Sequence, residues 1–154
     1  MRGMTAPADD AVLEAHRASI RARLIRAGIE RSGPGSVSWK VNREIVVVAG
    51  WGRAILLQLA HPLIAAAVAD HSSFRSSRSA GFKRLTSTLG AMLSLTFGSD
   101  EEAVHAAAVI NRIHDRISGR LGSQVGALAA GEPYSAHDPE LLRWVHATLL
   151  DSIM

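Results

Sequence analysis

Apolar residues recur at steps of three and four through much of the chain, which is the spacing of one face of an α-helix. The most regular stripe follows Ser99 and consists of Ala103, Ala107, Ile110, His114, Ile117 and Leu121. A first helix over residues 9–31 is predicted by an earlier stripe of Leu13, His16, Ile20, Leu24 and Ala27. The pattern therefore predicts an all-α protein.

Turn-forming residues divide the first half of the chain. A Gly-Pro-Gly turn at 33–35 ends the first segment, and two or three short, deeply buried helices are expected across Val41–Ala69, with a break at His61-Pro62. The β-branched run Ile45–Val48 could instead be a strand, although no second run would pair with it. The Ser/Arg-rich stretch Ser72–Ala80 is predicted to be a loop.

Helix ends are better marked in the second half. The predicted boundaries are Gly98 after a helix over Phe82–Phe97, a capping box of Ser99 and Glu102, and Asp138 with Pro139 before a last helix over Glu140–Asp151. A single domain of about six helices is expected, in which residues 1–35 form an N-terminal helix and turn and residues 36–154 form the main helical unit.

Composition narrows the function classes. The 154 residues include no cysteine, 47% are hydrophobic and only 5% are aromatic, which argues against a disulfide miniprotein and a disordered tail. Residues 1–99 carry thirteen Lys/Arg against six Asp/Glu, whereas residues 100–154 carry four against eight. The arginines are scattered and no aromatic residues interleave them, so a nucleic-acid partner is not expected.

Neither a secretory signal nor a transmembrane span is expected. The first fifteen residues contain Asp9, Asp10 and Glu14, and the longest uncharged stretch, Ala54–Ala69, is shorter than the roughly 20 apolar residues of a spanning helix. A cytoplasmic protein is the default expectation.

The most informative candidate for chemistry is His114, which lies in the middle of an apolar stripe. Small and branched neighbours would leave room for something flat and exclude water, and a neutral imidazole on a rigid helix is a good axial ligand for haem iron. An ordinary core histidine is the alternative explanation. Glu102 and His105 have the spacing of di-iron bundles, but only one such pair is present and capping explains Glu102.

Two further pairs of polar residues are candidates. Gln58 and His61 lie one turn apart and could offer polar contacts inside an apolar pocket, although His61 could simply cap a helix at the Pro62 junction. Arg84 and Thr88 are four residues apart, so a guanidinium and a hydroxyl would share one helix face, suited to a carboxylate, a haem propionate or bound oxygen. A surface arginine beside a helix threonine is the other explanation.

Several strings together resemble one family. In chain order they are VNRE at 41–44, LQLAHP at 57–62, Arg84-Leu85 with Thr88, Phe97-Gly98, YSA at 134–136 and DPELLRWVHA at 138–147. This order is similar to that of the MpaB and rubber oxygenase family, and the resemblance covers about Ser36 to Ser152. Members of that family are usually longer, so the chain is expected to correspond to the N-terminal half of the domain.

The resemblance implies an all-α, globin-like core that binds haem b and oxidatively cleaves carbon-carbon double bonds of isoprenoid chains with dioxygen. By this resemblance the axial ligand is His114, although Asn111 and Ser118 stand where the rubber oxygenases have flanking arginines. His146 is the alternative ligand. The resemblance also places Arg84 and Thr88 on the oxygen-binding side of the haem.

The sequence therefore predicts a haem b-dependent oxygenase acting on an apolar, lipid-like alkene, with Gln58 and His61 near the cofactor. The expected pocket lining, chosen by helical spacing, is Leu56, Leu59, Leu63 and Leu89. A shortened chain could fail to hold haem, or could form a homo-oligomer. The alternative is a catalytically silent helical scaffold or assembly module without a cofactor.

Overall fold

The computed structural model describes residues 7–28, 33–71 and 78–153, and this part of the chain contains seven helices and one short hairpin. The elements are α1 (Pro7–Ala27), α2 (Val37–Asn42), α3 (Ile45–Leu59), α4 (Pro62–His71), α5 (Arg78–Phe97), α6 (Asp100–His114), β1 (Ser118–Arg120), β2 (Pro133–Ser135) and α7 (Pro139–Ile153). The all-α prediction is confirmed. The short helix α2 raises the number above the six that were expected.

The predicted starts of the last two helices, α6 and α7, are confirmed. Ser99 Oγ accepts a hydrogen bond from the Glu102 backbone N–H at 3.3 Å, and the Ser99 N–H donates to Glu102 Oε2 at 2.7 Å, which completes the capping box of α6. Asp138 Oδ1 accepts from the Glu140 N–H at 2.8 Å at the start of α7. These bonds satisfy backbone donors that no helical carbonyl can reach.

Several predicted boundaries were wrong. Helix α1 ends at Ala27 because Gly28 adopts a left-handed φ of 59°, which glycine tolerates and which stops the helix; residues 29–31 lie outside the described part. Ile45–Val48 is the first turn of α3 and not a strand. The predicted loop over Ser72–Ala80 was too long, since α5 already begins at Arg78, and residues 72–77 lie outside the described part.

The long stripe after Ser99 does not stay on one helix. Helix α6 ends at His114, so Ile117 and Leu121 lie beyond it, around a hairpin in which β1 pairs antiparallel with β2. Gly119 lies opposite Tyr134 in this hairpin, and a Cβ there would clash with the tyrosine ring. The glycine lets the ring approach the β1 backbone closely, which the helical periodicity could not show.

Two helix pairs dominate the packing, α3 against α7 and α1 against α6. Gly50 marks the close approach of α3 to α7, because a Cβ at this position would lie 2.6 Å from the Ser152 carbonyl oxygen. A small core forms where α4 and α7 meet the hairpin, and it consists of Leu63, Leu121, Tyr134 and Leu141. The prediction of deep burial for α3 was wrong for most of its residues, since only Val47, Trp51 and Ala54 are buried.

No single helix in the described ranges combines the length and hydropathy of a membrane span. Helices α3 and α4 taken together reach the length and hydropathy of a span, but they are bent by 100° at the break between them.

We expect Tyr134 to make stability fall in alkaline solution. The Tyr134 hydroxyl donates to Asp70 Oδ2 at 2.5 Å, and burial, followed by this contact with a carboxylate, raises the pKa of Tyr134 to about 12 from 10.0. Above about pH 10 the unfolded chain loses the phenol proton while the folded chain keeps it, so stability declines from about pH 10 to about pH 12. Urea unfolding at several alkaline pH values measures this decline.

The control is Tyr134→Phe, which should lower stability near neutrality by about 1 kcal/mol through loss of the hydrogen bond and should flatten that decline. Since the chain has a single tyrosine, the absorbance of tyrosinate reports the same titration directly. An ordinary tyrosine titration near pH 10 in the folded protein would contradict the prediction.

Candidate functional site

A cavity of about 480 Å³ opens between α4, the end of α6 and the start of α7. Its size lies in the range of roughly 300–1,000 Å³ that is typical of small-molecule and cofactor sites. Most of its lining is apolar and comes from Ile64, Ala67, Val68, Ile113, Ile117, Ala136, Leu141, Leu142 and Val145. The polar lining residues are Gln58, His71, Arg84, His114, Arg116 and Ser135.

Three of the residues singled out in the sequence meet at this cavity. Gln58 comes from the last turn of α3, Arg84 from α5 and His114 from the end of α6. They are separated by 26 and 30 positions along the chain (84 − 58 and 114 − 84), so only the packing of the helices brings them together. A polar amide, a guanidinium and an imidazole therefore face the same apolar space.

The other candidates do not line this cavity. His61 joins α3 to α4, where its Nδ1 accepts a hydrogen bond from the Leu63 N–H at 3.3 Å and its ring lies 5.9 Å from that of Trp144. The hydroxyl of Thr88 donates to the Arg84 carbonyl oxygen at 3.0 Å within α5. His146 lies exposed on α7. The structure thus shows His61 in its capping role.

The predicted leucine lining was wrong. Leu56 and Leu59 are exposed on α3, Leu63 lies in the hydrophobic core, and Leu89 is half-buried on α5. Helical spacing identified apolar stripes correctly, but α3 is apolar on both sides and spacing cannot tell which side faces inward. The cavity wall comes instead from α4, α7 and the end of α6.

The environment of His114 favours a neutral imidazole. The ring is half-buried, and burial is the main cause that lowers the pKa of His114 below its usual value of 6.5. The neighbouring His137, whose ring centroid lies 6.0 Å away, lowers this pKa further, while Asp115 raises it. A neutral ring at pH 7 has a nitrogen lone pair available to bind a metal ion.

Asp115, next to His114, bridges two histidines that the sequence analysis missed. Its two carboxylate oxygens accept hydrogen bonds from His16 Nε2 at 2.7 Å and His137 Nε2 at 2.8 Å, and these bonds hold the pKa of Asp115 below its usual value. Because a carboxylate can only accept hydrogen bonds, Nε2 of His16 and Nε2 of His137 each carry a proton. The one sequence signal was the adjacency of Asp115 to the candidate ligand; the histidines are 99 and 22 residues away.

Arginine charge reaches the cavity from Arg116, two residues after His114. The resemblance implied arginines at positions 111 and 118, where this chain has Asn111 and Ser118. The guanidinium of Arg116 also pairs with Asp9 of α1 at 2.7 Å, and Arg112 lies 3.7 Å from the same carboxylate. Helix α1 is thereby attached to the end of α6 that carries His114.

We expect NMR titration of His114 to show a midpoint below 6.5. His137→Gln should raise this midpoint, because the substitution removes the charge that opposes protonation of His114. The control is His146→Gln, which changes an exposed histidine on another helix and should leave the midpoint where it was. A His114 midpoint above 6.5 would contradict the expectation.

The described residues contain no group of three or more His, Cys, Asp or Glu side chains placed to hold a metal ion. Haem iron needs less from the protein, since one axial histidine and an apolar cleft are the usual contribution. The cavity beside His114 offers one histidine and apolar walls, so it is compatible with a haem site.

Comparison with known proteins places the chain in a family. The profile of the family described as "ER-bound oxygenase mpaB/B'/Rubber oxygenase, catalytic domain" matches residues 39–154, which include α3 to α7 and every residue of the cavity. No curated protein and no solved structure matches at a significant level. The resemblance inferred from the motif strings is thus confirmed, and the chain belongs to the mpaB/rubber oxygenase catalytic-domain family.

Proposed function

We propose that this domain is a haem b-dependent oxygenase that uses dioxygen to cleave a carbon-carbon double bond of an apolar, isoprenoid or lipid-like substrate. The observation that supports it most directly is the position of His114, a half-buried histidine at the wall of an apolar cavity in a domain of an oxygenase family. The iron of bound haem would supply the centre that activates dioxygen.

The residues at the cavity fit such a cofactor. His114 would be the protein ligand of the iron, because its lowered pKa keeps the imidazole neutral and its place on α6 fixes the ring to a rigid element. Asp115 holds His137 by a hydrogen bond of 2.8 Å, and the His137 ring, whose centroid lies 6.0 Å from that of His114, would pack beside the proposed ligand. The apolar lining would exclude water from both faces of a flat macrocycle.

Positive charge at the cavity would serve the anionic parts of the cofactor and the reaction. Arg84 and Arg116 both line the cavity, so either guanidinium could bind a propionate carboxylate or stabilise negative charge that develops on oxygen. Gln58 could donate or accept a hydrogen bond from the α3 side. The proposal assigns no contact with the reacting groups to Thr88, whose hydroxyl already donates within α5.

The substrate class follows from the same lining. Leu141, Leu142 and Val145 on α7 line the cavity together with Ile64 and Val68 on α4, and none of these side chains can hydrogen-bond. Such walls favour a hydrocarbon chain over a polar metabolite, because burial of apolar surface contributes about 25 cal/mol per Å².

The test is a titration of the purified 154-residue chain with haemin, followed by visible spectroscopy before and after reduction. We expect a Soret band with one haem per chain. The loaded protein should then form carbonyl products from a polyisoprene oligomer in air and none under argon. A chain that stays colourless after removal of excess haemin would overturn the proposal. A chain that binds haem but forms no dioxygen-dependent products would support the proposed cofactor and contradict the proposed reaction.

Two observations favour a second candidate, a helical module without catalytic function. Asn111 and Ser118 replace both arginines that flank the axial histidine in the rubber oxygenases, and Ile113 beside His114 is 52% exposed. A site that has lost its function would tolerate both. The same titration separates the two candidates, because the module would remain colourless while its circular dichroism shows a folded helical protein.

A further inference from the structure

The N-terminal helix α1 lies outside the part of the chain that matches the family, which begins at residue 39. It nevertheless packs along α6, the helix that ends at His114. The half-buried residues of α1 lie on one face of the helix: Asp9, Leu13, His16, Arg17, Ile20, Arg21 and Leu24. The family motifs assign no role to this helix, so its role has to be inferred from its contacts.

The first turn of α1 reaches the end of α6 that borders the cavity. Asp9 Oδ1 lies 2.7 Å from Nη2 of Arg116, and Asp9 Oδ2 lies 3.7 Å from Nη1 of Arg112. The Asp9 side chain is 33% exposed and that of Arg112 is 22% exposed, so water screens this carboxylate only in part. Arg116 lines the cavity, whereas Asp9 is not part of its lining. Asp9 is therefore connected to the cavity through Arg116.

The charges around this end of α6 cancel. Apart from the histidines, whose charge depends on pH, two arginines and two carboxylates lie here: Arg112, Arg116, Asp9 and Asp115. Without the carboxylate of Asp9, one arginine charge would be left over beside the cavity. Helix α1 thus contributes the charge that neutralises this side of the cavity.

An unpaired arginine beside an apolar cavity would attract fatty acids. The guanidinium would donate charge-assisted hydrogen bonds to the carboxylate, and the apolar walls would bury the hydrocarbon chain. In this chain, Nη2 of Arg116 already donates to Asp9 Oδ1 at 2.7 Å. A ligand carboxylate at Arg116 therefore meets a negative charge next to the positive one, whereas an uncharged ligand is unaffected.

We propose that Asp9 of α1 is a specificity-determining residue of the cavity, which occupies the guanidinium of Arg116 and so selects uncharged hydrocarbon chains over those that end in a carboxylate. This inference rests on the proposed function for the identification of that ligand as the substrate, whereas the selection itself needs no haem. Asp9 acts through Arg116 and does not touch the ligand. The substrate class narrows from apolar molecules in general to uncharged ones.

The attachment of α1 does not depend on Asp9 alone. Near the other end of the contact, Glu101 Oε2 accepts hydrogen bonds from Arg17 at 2.9 Å and from Arg21 at 2.5 Å. Glu101 is thus also a carboxylate shared by two arginines between α1 and α6, but it does not line the cavity and does not pair with Arg116. The substitution Glu101→Gln is therefore a matched control for the removal of the Asp9 charge.

The experiment is isothermal titration calorimetry of the 154-residue chain, without haem, with decanoate and with decan-1-ol, which share one alkyl chain. The wild type should bind decan-1-ol more tightly than decanoate. Asp9→Asn keeps the shape of the side chain and removes its charge, so decanoate binding should strengthen by about five- to tenfold. A larger gain is not expected, because the Arg116 side chain is 68% exposed.

The uncharged ligand and the control variant make this result specific. Asp9→Asn should change the affinity for decan-1-ol by less than about twofold, because this ligand carries no charge. Glu101→Gln should leave both affinities within about twofold of the wild type, because it alters the attachment of α1 without releasing Arg116. Circular dichroism of each variant measures whether its helices are intact.

A double variant tests the connection through Arg116. In a chain that carries Arg116→Gln, the further substitution Asp9→Asn should change decanoate binding by less than about twofold. The physical reason is that glutamine cannot supply the charge-assisted hydrogen bonds of a released guanidinium.

Four results would contradict the proposed role of Asp9. They are a wild type that binds neither ligand or prefers decanoate, an Asp9→Asn variant that binds decanoate more weakly, equal changes for both ligands, and a gain that persists in Arg116→Gln. The second would make Asp9 a residue that orients Arg116 toward an anion, and the third would make its role purely structural. A chain that shows the expected selection but stays colourless with haemin would contradict the proposed function alone.

Discussion

Substitution of His114 by alanine is expected to abolish the Soret band of the haem-loaded protein and to weaken haem binding by more than about 100-fold. Loss of an outer hydrogen-bond partner of a metal ligand already costs about 10–100-fold, and His114→Ala removes the proposed ligand itself. Spectral titration of the wild type and the variant with haemin measures the difference. Circular dichroism should show little change, because His114 is half-buried at a helix end.

Two matched variants make this result specific. His146→Ala removes an exposed histidine of α7 that does not line the cavity, and its spectrum should equal that of the wild type. His71→Ala removes the other histidine of the cavity wall, whose Nε2 lies 3.1 Å from the Ser118 carbonyl oxygen. A band that survives His114→Ala and disappears in either of the other two would move the ligand to that histidine and leave the cofactor in place.

Trp51→Ala is expected to destabilise the fold by about 3–5 kcal/mol, which is the usual cost of removing a buried aromatic side chain. Trp51 is 3% exposed on the side of α3 that carries Val47 and Ala54, so the substitution leaves a cavity where the main helix pair of the protein packs. Urea unfolding followed by circular dichroism gives the free energy of unfolding. At this size, such a loss is a large fraction of a typical total stability of about 5–15 kcal/mol.

Trp51→Phe separates packing from hydrogen bonding. The indole N–H of Trp51 is buried and has no hydrogen-bond partner among the described residues, so phenylalanine keeps most of the apolar ring and removes a donor whose burial costs free energy. We expect it to cost less than half as much as Trp51→Ala. Trp144→Ala, at a tryptophan that is 39% exposed, should also cost less; equal losses in all three variants would refute the burial argument.

The helices themselves could be predicted well from the sequence where local chemistry decides them. Ser99 with Glu102, and Asp138 with Pro139, set the starts of α6 and α7 through hydrogen bonds that span two or three residues. The errors concern helix ends that these capping hydrogen bonds do not set. The end of α1 depends on the left-handed backbone of Gly28, and the end of α6 at His114 depends on a hairpin whose strands lie fifteen residues apart (133 − 118).

The candidate site was predicted in part. Gln58, Arg84 and His114 were identified from motif strings and spacing, and the structure places all three at one cavity. The surroundings of His114 were not predicted, because the bridge from the adjacent Asp115 to His16 and His137 joins residues that are far apart in the sequence. Leu56 and Leu59 were wrongly expected in the pocket because both sides of α3 look alike in the sequence.

The helical class, the capped helix starts and the family could be predicted from the chain, because each depends on residue order and on neighbours within about one turn. Only the packing of the helices shows which apolar faces are covered, where the cavity lies and which charges reach it. Those features arise when distant segments compete to bury apolar surface, and periodicity carries no information about which partner a face will find. Helix α3 shows the difference, since Trp51 is buried and Leu56, five residues later, is exposed.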